Sequence, residues 1–219
     1  MESKSITTWT NCINRHLLLK GVRRGFLTIM LIGMLAGCTF HVPVAPSPKI
    51  PYTPQIYPLK VGIFIERPQL EHVYSKDGFF LVGMLNTWKV PVGEGLQKAS
   101  VKSFSQLFAE VRSIFSLEEG KYNSLNIIFT PAIREFRISQ TITTDFFLKA
   151  TILDATGSLI YEKEVRGETQ GSGPFFTACF CGVFLAEQAF SQSVNSAFED
   201  AFEKLFINIT QMVDFSKIY

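Results

Sequence analysis

Hydrophobic and polar positions alternate along this chain in two periods, and each period marks its own kind of element. From Leu59 to Glu66, Val61, Ile63 and Ile65 fall on one side while Gly62 and Phe64 fall on the other. A stretch that is apolar on both sides is expected in the middle of a sheet. Arg67, Pro68 and Gln69 end it. Phe79 to Leu85 is a second apolar run, preceded by the turn signal Lys76-Asp77-Gly78, and reads as a strand or as a segment covering the core. Trp88 to Gly93 then leads into a helix expected from Glu94 to Phe115, where Val101, Phe104, Phe108, Val111 and Phe115 recur at three and four residues as one stripe.

Leu125 to Phe129 and Ile133 to Ile138 read as short strands separated by Pro131, a residue suited to an edge or bulge. Thr144 to Leu153 and Leu159 to Arg166 alternate at period two on either side of Asp154-Ala155-Thr156-Gly157, which predicts a hairpin. A last helix is expected from Ala186 to Val213. Phe190, Val194, Phe198, Phe202, Leu205, Ile209 and Met212 form its apolar stripe, and Glu187, Glu199, Asp200 and Lys204 its outer face. Both helical stripes need cover, and one face of a sheet supplies it. The fold class is therefore α+β: an α/β sandwich with a mainly antiparallel sheet and two amphipathic helices packed on one face.

Ahead of residue 59 the pattern changes. Pro43, Pro46, Pro48, Pro51, Pro54 and Pro58 punctuate the chain, and a run so rich in proline cannot be helical. It reads as an extended, semi-rigid tether over 38–58. Before it, the basic residues Lys20, Arg23 and Arg24 precede an apolar run from Gly25 to Leu35 that ends in Ala36-Gly37-Cys38, the layout of a cleaved export signal. The run is too short to span a bilayer, which needs roughly 20 apolar residues. Leu35-Ala36-Gly37-Cys38 resembles the lipobox of bacterial lipoproteins. That resemblance implies cleavage before Cys38, a diacylglycerol on its thiol and an acyl chain on its new amine, with no other cofactor. Thr39 follows, where an inner-membrane retention signal would carry aspartate, so the periplasmic face of the outer membrane is the expected location. Met1 to Lys20 is more polar than such a signal needs, which leaves open a start downstream of Met1.

Charge changes sign once that leader is set aside. The whole chain has 21 basic and 19 acidic residues, but residues 1–37 hold five of the former and one of the latter, leaving 16 against 18. A near-neutral domain over 59–219 lacks the clustered basic charge of a nucleic-acid binder. The 21 phenylalanines of the whole chain suggest a thick apolar core, an apolar contact surface, or both. Cys179 and Cys181 are a candidate redox pair, yet cysteines one residue apart in extended chain are badly placed for a disulfide. Free thiols, a strained bridge and an intermolecular bridge all stay open. A zinc site needs about four ligands, and His41 and His72 have no spacing to this pair. No P-loop, dinucleotide fingerprint, nucleophile elbow or zinc-protease motif occurs. Glu135, Asp145 and Asp154 sit at strand ends or turns, unpaired for acid/base work. The chain is therefore not expected to be an enzyme.

Phe175 to Ala186 carries no charge at all and follows the break Gly171-Ser172-Gly173-Pro174. It reads either as a core-filling first helical turn or as an interface or membrane-contacting segment, with Phe175, Phe176, Phe180, Val183 and Phe184 as the contacts. The order of elements around Val61-Gly62-Ile63-Phe64-Ile65, Val92-Gly93-Glu94-Gly95-Leu96, the hairpin and the final helix also resembles small envelope lipoproteins related to YajG and the periplasmic domain of curli-secretion CsgG. That resemblance implies an accessory or scaffold subunit in envelope assembly or export, self-associating or bound to other envelope proteins. The alternative is a periplasmic module binding lipid or glycan through aromatics such as Trp88, Phe175 and Phe176.

Overall fold

The structure is a computed structural model that describes residues 39–50, 56–77, 87–122, 124–139, 141–169 and 183–218. The chain divides after Cys38, and Thr39–Tyr219 forms a compact unit of its own. Among the described residues the order is β1 (Thr39–His41), β2 (Tyr57–Phe64), α1 (Arg67–Leu70), β3 (Tyr74–Asp77), β4 (Thr87–Val90), α2 (Val92–Phe104) and β5 (Phe108–Ile114). There follow α3 (Leu117–Tyr122), β6 (Ile127–Ile138), β7 (Thr144–Asp154), β8 (Leu159–Glu168), α4 (Val183–Met212) and a 3-10 turn at Phe215–Lys217. One sheet has the order β5-β2-β6-β7-β8 and a smaller one the order β1-β4-β3.

The fold is the expected α+β sandwich, with α2 and α4 on one face of the larger sheet. Its longest ladders, β6 with β7 and β7 with β8, are antiparallel, whereas β2 runs parallel to both β5 and β6. The double-sided apolar pattern of β2 has its reason here. Val61 and Ile63 enter the main core beneath the helices, while Phe64 packs on a second small cluster of Ile114, Leu125 and Ile128 on the far face. Short helix α3 lies over that cluster, so close that a side chain at Gly120 would run into Ile128.

The main core is built from stacked phenylalanines. Phe146 and Phe198 stack at 4.2 Å, Phe104 and Phe129 also at 4.2 Å, and Phe104 meets Phe206 edge-on at 5.2 Å. Phe190, Phe198, Phe202, Phe206, Leu205 and Ile209 make one continuous buried stripe on α4, each such side chain contributing about 1.5–3 kcal/mol by burial. Two positions of this helix depart from the amphipathic pattern. Met212 is exposed, and Asp200, expected outside, is buried, where its carboxylate accepts the Glu168 N–H at 2.9 Å and the Lys204 ammonium at 2.6 Å. It thereby ties α4 to the end of β8.

Two expected boundaries are corrected. The stripe from Glu94 to Phe115 is not one helix: α2 stops at Phe104, and Phe108–Ile114 is an edge strand parallel to β2. Spacings of three and four can be met by chance across a turn, and the signal against a single helix was Ser116-Leu117-Glu118-Glu119. In that capping pattern the Ser116 hydroxyl accepts the Glu119 N–H at 3.2 Å, and Glu119 Oε2 accepts the Phe115 N–H at 2.8 Å. Conversely, the two short strands about Pro131 are one strand, β6. Pairing with β2 ends at Phe129, so beyond it β6 has an open side where a missing N–H costs no ladder bond. The bulge falls later, between Ile133 and Glu135.

Candidate functional site

The proline-rich segment is where the structure departs most from the sequence reading. The tether expected over 38–58 is, over 39–50, a strap packed on the domain. Val42, Val44, Pro46 and Pro48 face inward, and residues 41, 43, 45 and 49 face out, the period-two alternation of extended chain. Prolines leave few N–H groups to satisfy, and side chains of α4 and of Gln106, just past α2, meet three of those that remain. Asn195 Oδ1 accepts the Ala45 N–H at 3.0 Å, Glu199 Oε1 the Ser47 N–H at 2.8 Å, and Gln106 Oε1 the Ile50 N–H at 3.4 Å. In the other direction, the Ser191 hydroxyl donates to Pro43 O at 2.7 Å and Gln106 Nε2 to Pro48 O at 3.0 Å. Ser191, Asn195 and Glu199, four residues apart, form a polar ridge along α4 that tracks the strap. A side chain at Gly95 would collide with Val44, so the glycine on α2 is what lets the strap lie so low.

The strap begins with β1, parallel to β4, with Thr39 opposite Thr87. Phe40 and Phe190 sandwich Trp88, at 4.8 and 4.5 Å. Trp88 is thus 1% exposed and is a core residue, not the ligand-contacting aromatic that the lipid- or glycan-binding alternative placed there. The compact unit starts at Thr39.

The other residues of interest divide as follows. Cys38, Phe175, Phe176, Cys179, Phe180 and Cys181 lie outside the described residues; Val183 and Phe184 open helix α4. His41 and His72 are exposed. Asp145 is in an ion pair with Arg166 at 2.7 Å, and Glu135 with Arg137. The Asp154 carboxylate accepts from the Thr156 N–H and hydroxyl and the Ser158 N–H at 2.6–2.8 Å. Those bonds, the Thr156 hydroxyl first, hold its carboxyl below the usual carboxylate range. Each carboxylate singled out for chemistry is thus engaged in a turn or strand pairing. Among the described residues no group of three or more His, Cys, Asp or Glu could hold a metal ion, and no helix is long and apolar enough to cross a membrane.

The structure adds a feature that the sequence reading missed. Between α2 and the edge strand β5 runs an open groove of about 640 Å³ lined by Ala45, Pro46, Gln97, Val101, Lys102 and Ser113. Gln97 and Ser113 also line an adjoining cleft that ends at Phe115, a phenylalanine 87% exposed. Reading Phe115 as the end of a helix stripe hid it. Among the described residues, a strand edge with no neighbouring strand, beside a groove that Lys98 and Ser105 also line and an exposed aromatic ring, has the chemistry of a protein-contact surface.

No model of a known protein family matches the chain, and no curated protein matches it. Among solved structures, it is similar to a PelC dodecamer from Paraburkholderia phytofirmans, at 12% identity over 68% of this chain and 88% of that one, with a TM-score of 0.39. It is also similar to the hypothetical protein CT253 from Chlamydia trachomatis, at 9% identity over 70% of this chain and 97% of that one, with a TM-score of 0.41. Similarity of this degree assigns no function.

Proposed function

We propose that this chain is a lipoprotein acylated on Cys38, held on the periplasmic face of the outer membrane, where it serves as a non-enzymatic scaffold subunit contacting envelope proteins or further copies of itself. The observation that carries this reading is the placement of Leu35-Ala36-Gly37-Cys38 directly ahead of Thr39, where the compact unit starts. Two or three acyl chains hold a protein on a membrane where one chain binds only marginally. The groove between α2 and β5, with Phe115 beside it, supports the scaffold role by offering a contact surface.

Two experiments test the two halves. Metabolic labelling with palmitate should mark the wild type and leave Cys38→Ser unlabelled; a mature polypeptide beginning at any other residue overturns the anchor. Cross-linking in cells followed by pull-down should recover a protein partner or a second copy with the wild type. Recovery should drop with Phe115→Ser, which alters an exposed ring and leaves the core intact. Equal recovery from both would remove the groove from the reading.

A further inference from the structure

The two outer strands of the larger sheet are finished in different ways. β8 is closed by the helix beside it: Lys204 Nζ donates to Arg166 O at 3.1 Å, and Asp200 Oδ2 accepts the Glu168 N–H at 2.9 Å. Glu162, Lys163 and Glu164 add exposed charge along the same strand, a second device that keeps a sheet edge from pairing. β5 is different. Among the described residues no strand lies beyond it, and it leads into Phe115, whose ring stands in solvent.

The side chains of β5 divide between its two faces. Val111 packs on the main core and the Ser113 hydroxyl accepts from Gln97 Nε2 at 3.4 Å, so both face α2. Ile114 belongs to the small cluster on the far face. Glu110 and Arg112 alternate with the α2-facing residues and share that far face, where Glu110 meets Lys60 at 3.7 Å and Arg112 at 3.9 Å. Both pairs are long and half-exposed, so they hold the Glu110 carboxylate only weakly against a closer cation.

These positions decide what a strand added at the edge would meet. A second β5, running antiparallel about a two-fold axis at Val111, sets Glu110 opposite the partner's Arg112, Arg112 opposite the partner's Glu110, and Ala109 opposite the partner's Ser113. Opposite charges across an antiparallel pair stabilise it, and like charges destabilise it. Moving the axis to Glu110 or to Arg112 sets like charges against each other, so charge selects the register at Val111. The same register brings Phe115 level with the partner's Leu107, at the corner from which Val101 and Ser105 line the groove. A stable interface buries about 1,200–2,000 Å² in total. A ladder of seven residues, about 23 Å long, does not reach that alone, and the two Phe115 rings and the two grooves adjoin it on the helix side.

We propose that β5 is a self-pairing edge: two copies of this chain join through antiparallel β5 strands centred on Val111, making one continuous sheet across both, with Glu110 and Arg112 forming the cross-strand pairs that set its register. The proposal narrows the scaffold reading above, on which it rests, to one partner, a second copy.

The test uses the full chain, made and processed in bacterial cells and extracted into detergent, with its mass followed by sedimentation velocity across a dilution series. The wild type should sediment as a dimer. Glu110→Arg and Arg112→Glu each set like charges opposite one another at both pairs and should weaken self-association about tenfold or more. The double variant Glu110→Arg/Arg112→Glu restores both pairs and should recover the dimer, and mixing the two single variants should give a heterodimer where neither alone gives a homodimer. Glu110→Gln or Arg112→Gln replaces a single variant that fails to fold by circular dichroism, and it too should loosen the dimer. A dimer indifferent to these exchanges would overturn the proposal by placing the contact elsewhere, and so would a wild type that stays monomeric. Cross-linking in cells separates the two levels: a monomer that still captures another envelope protein defeats self-pairing alone, whereas a monomer that captures nothing defeats the scaffold reading with it.

Discussion

The strap makes the sharpest test, because a free tether and a packed strap give opposite answers to one double substitution. Val42 and Val44 are 1% and 3% exposed, and changing each to alanine removes two methyl-sized groups from the core. At about 0.8 kcal/mol per buried group, the transfer loss is about 1.6 kcal/mol per site. Gly95 and Phe198 crowd the Val44 site, so incomplete collapse adds a cavity cost, and the double variant should lose about 3–5 kcal/mol in all. For a domain of this size that is roughly 2–4 °C per kcal/mol, a fall in melting temperature of about 6–20 °C. Equilibrium urea unfolding followed by far-UV circular dichroism measures it, with Ala45→Ser as a control whose side chain is exposed and whose effect should stay within about 0.5 kcal/mol. If the double variant and the control have the same midpoint as the wild type, residues 39–50 are not packed on the domain.

Gly167→Ala should cost about 1–3 kcal/mol or more, since a methyl group there would strike the Ala197 carbonyl oxygen and come within 2.8 Å of Ala201 N; an unchanged urea midpoint would show that α4 does not sit so close to β8. At Ile142, buried yet held at φ 60°, glycine relieves the backbone and alanine does not, so Ile142→Gly should be the more stable of the two by about 1 kcal/mol, the reverse of their order at an ordinary site; calorimetry of the pair checks it. Asp154 sets a pH dependence. Its carboxyl titrates below the usual value of 3.8 in the folded chain, so its contribution to stability is fully present above that value and is lost as pH falls through the depressed one. Urea midpoints followed down through the carboxylate range should therefore drop less steeply for Asp154→Asn than for the wild type, and identical slopes would count against the turn bonds.

Periodicity served well wherever one element supplied the whole pattern. Strand β7 alternates cleanly because one of its faces lies in the main core, and α4 shows its stripe from Phe190 to Ile209 because a long helix on a sheet must bury the same side at every turn. It served badly where apolar residues from two elements fell into one rhythm by chance, as with Phe104 of α2 and Phe108 and Val111 of β5. Polar residues carried the missing information there, in the Ser116 to Glu119 cap.

The amino-acid order by itself determined the class of the fold, the hairpin, the long final helix and the position of the cysteine that follows Leu35-Ala36-Gly37, since these depend on residues adjacent along the chain or repeated at a fixed interval. Only the tertiary structure decided that the prolines lie down as a strap and that Trp88 is sealed between two phenylalanines. Each of those depends on partners far away in the chain: the strap's N–H groups are satisfied by Asn195 and Glu199, about 150 positions on. Local pattern cannot encode a contact whose free energy comes from removing two distant surfaces from water at once.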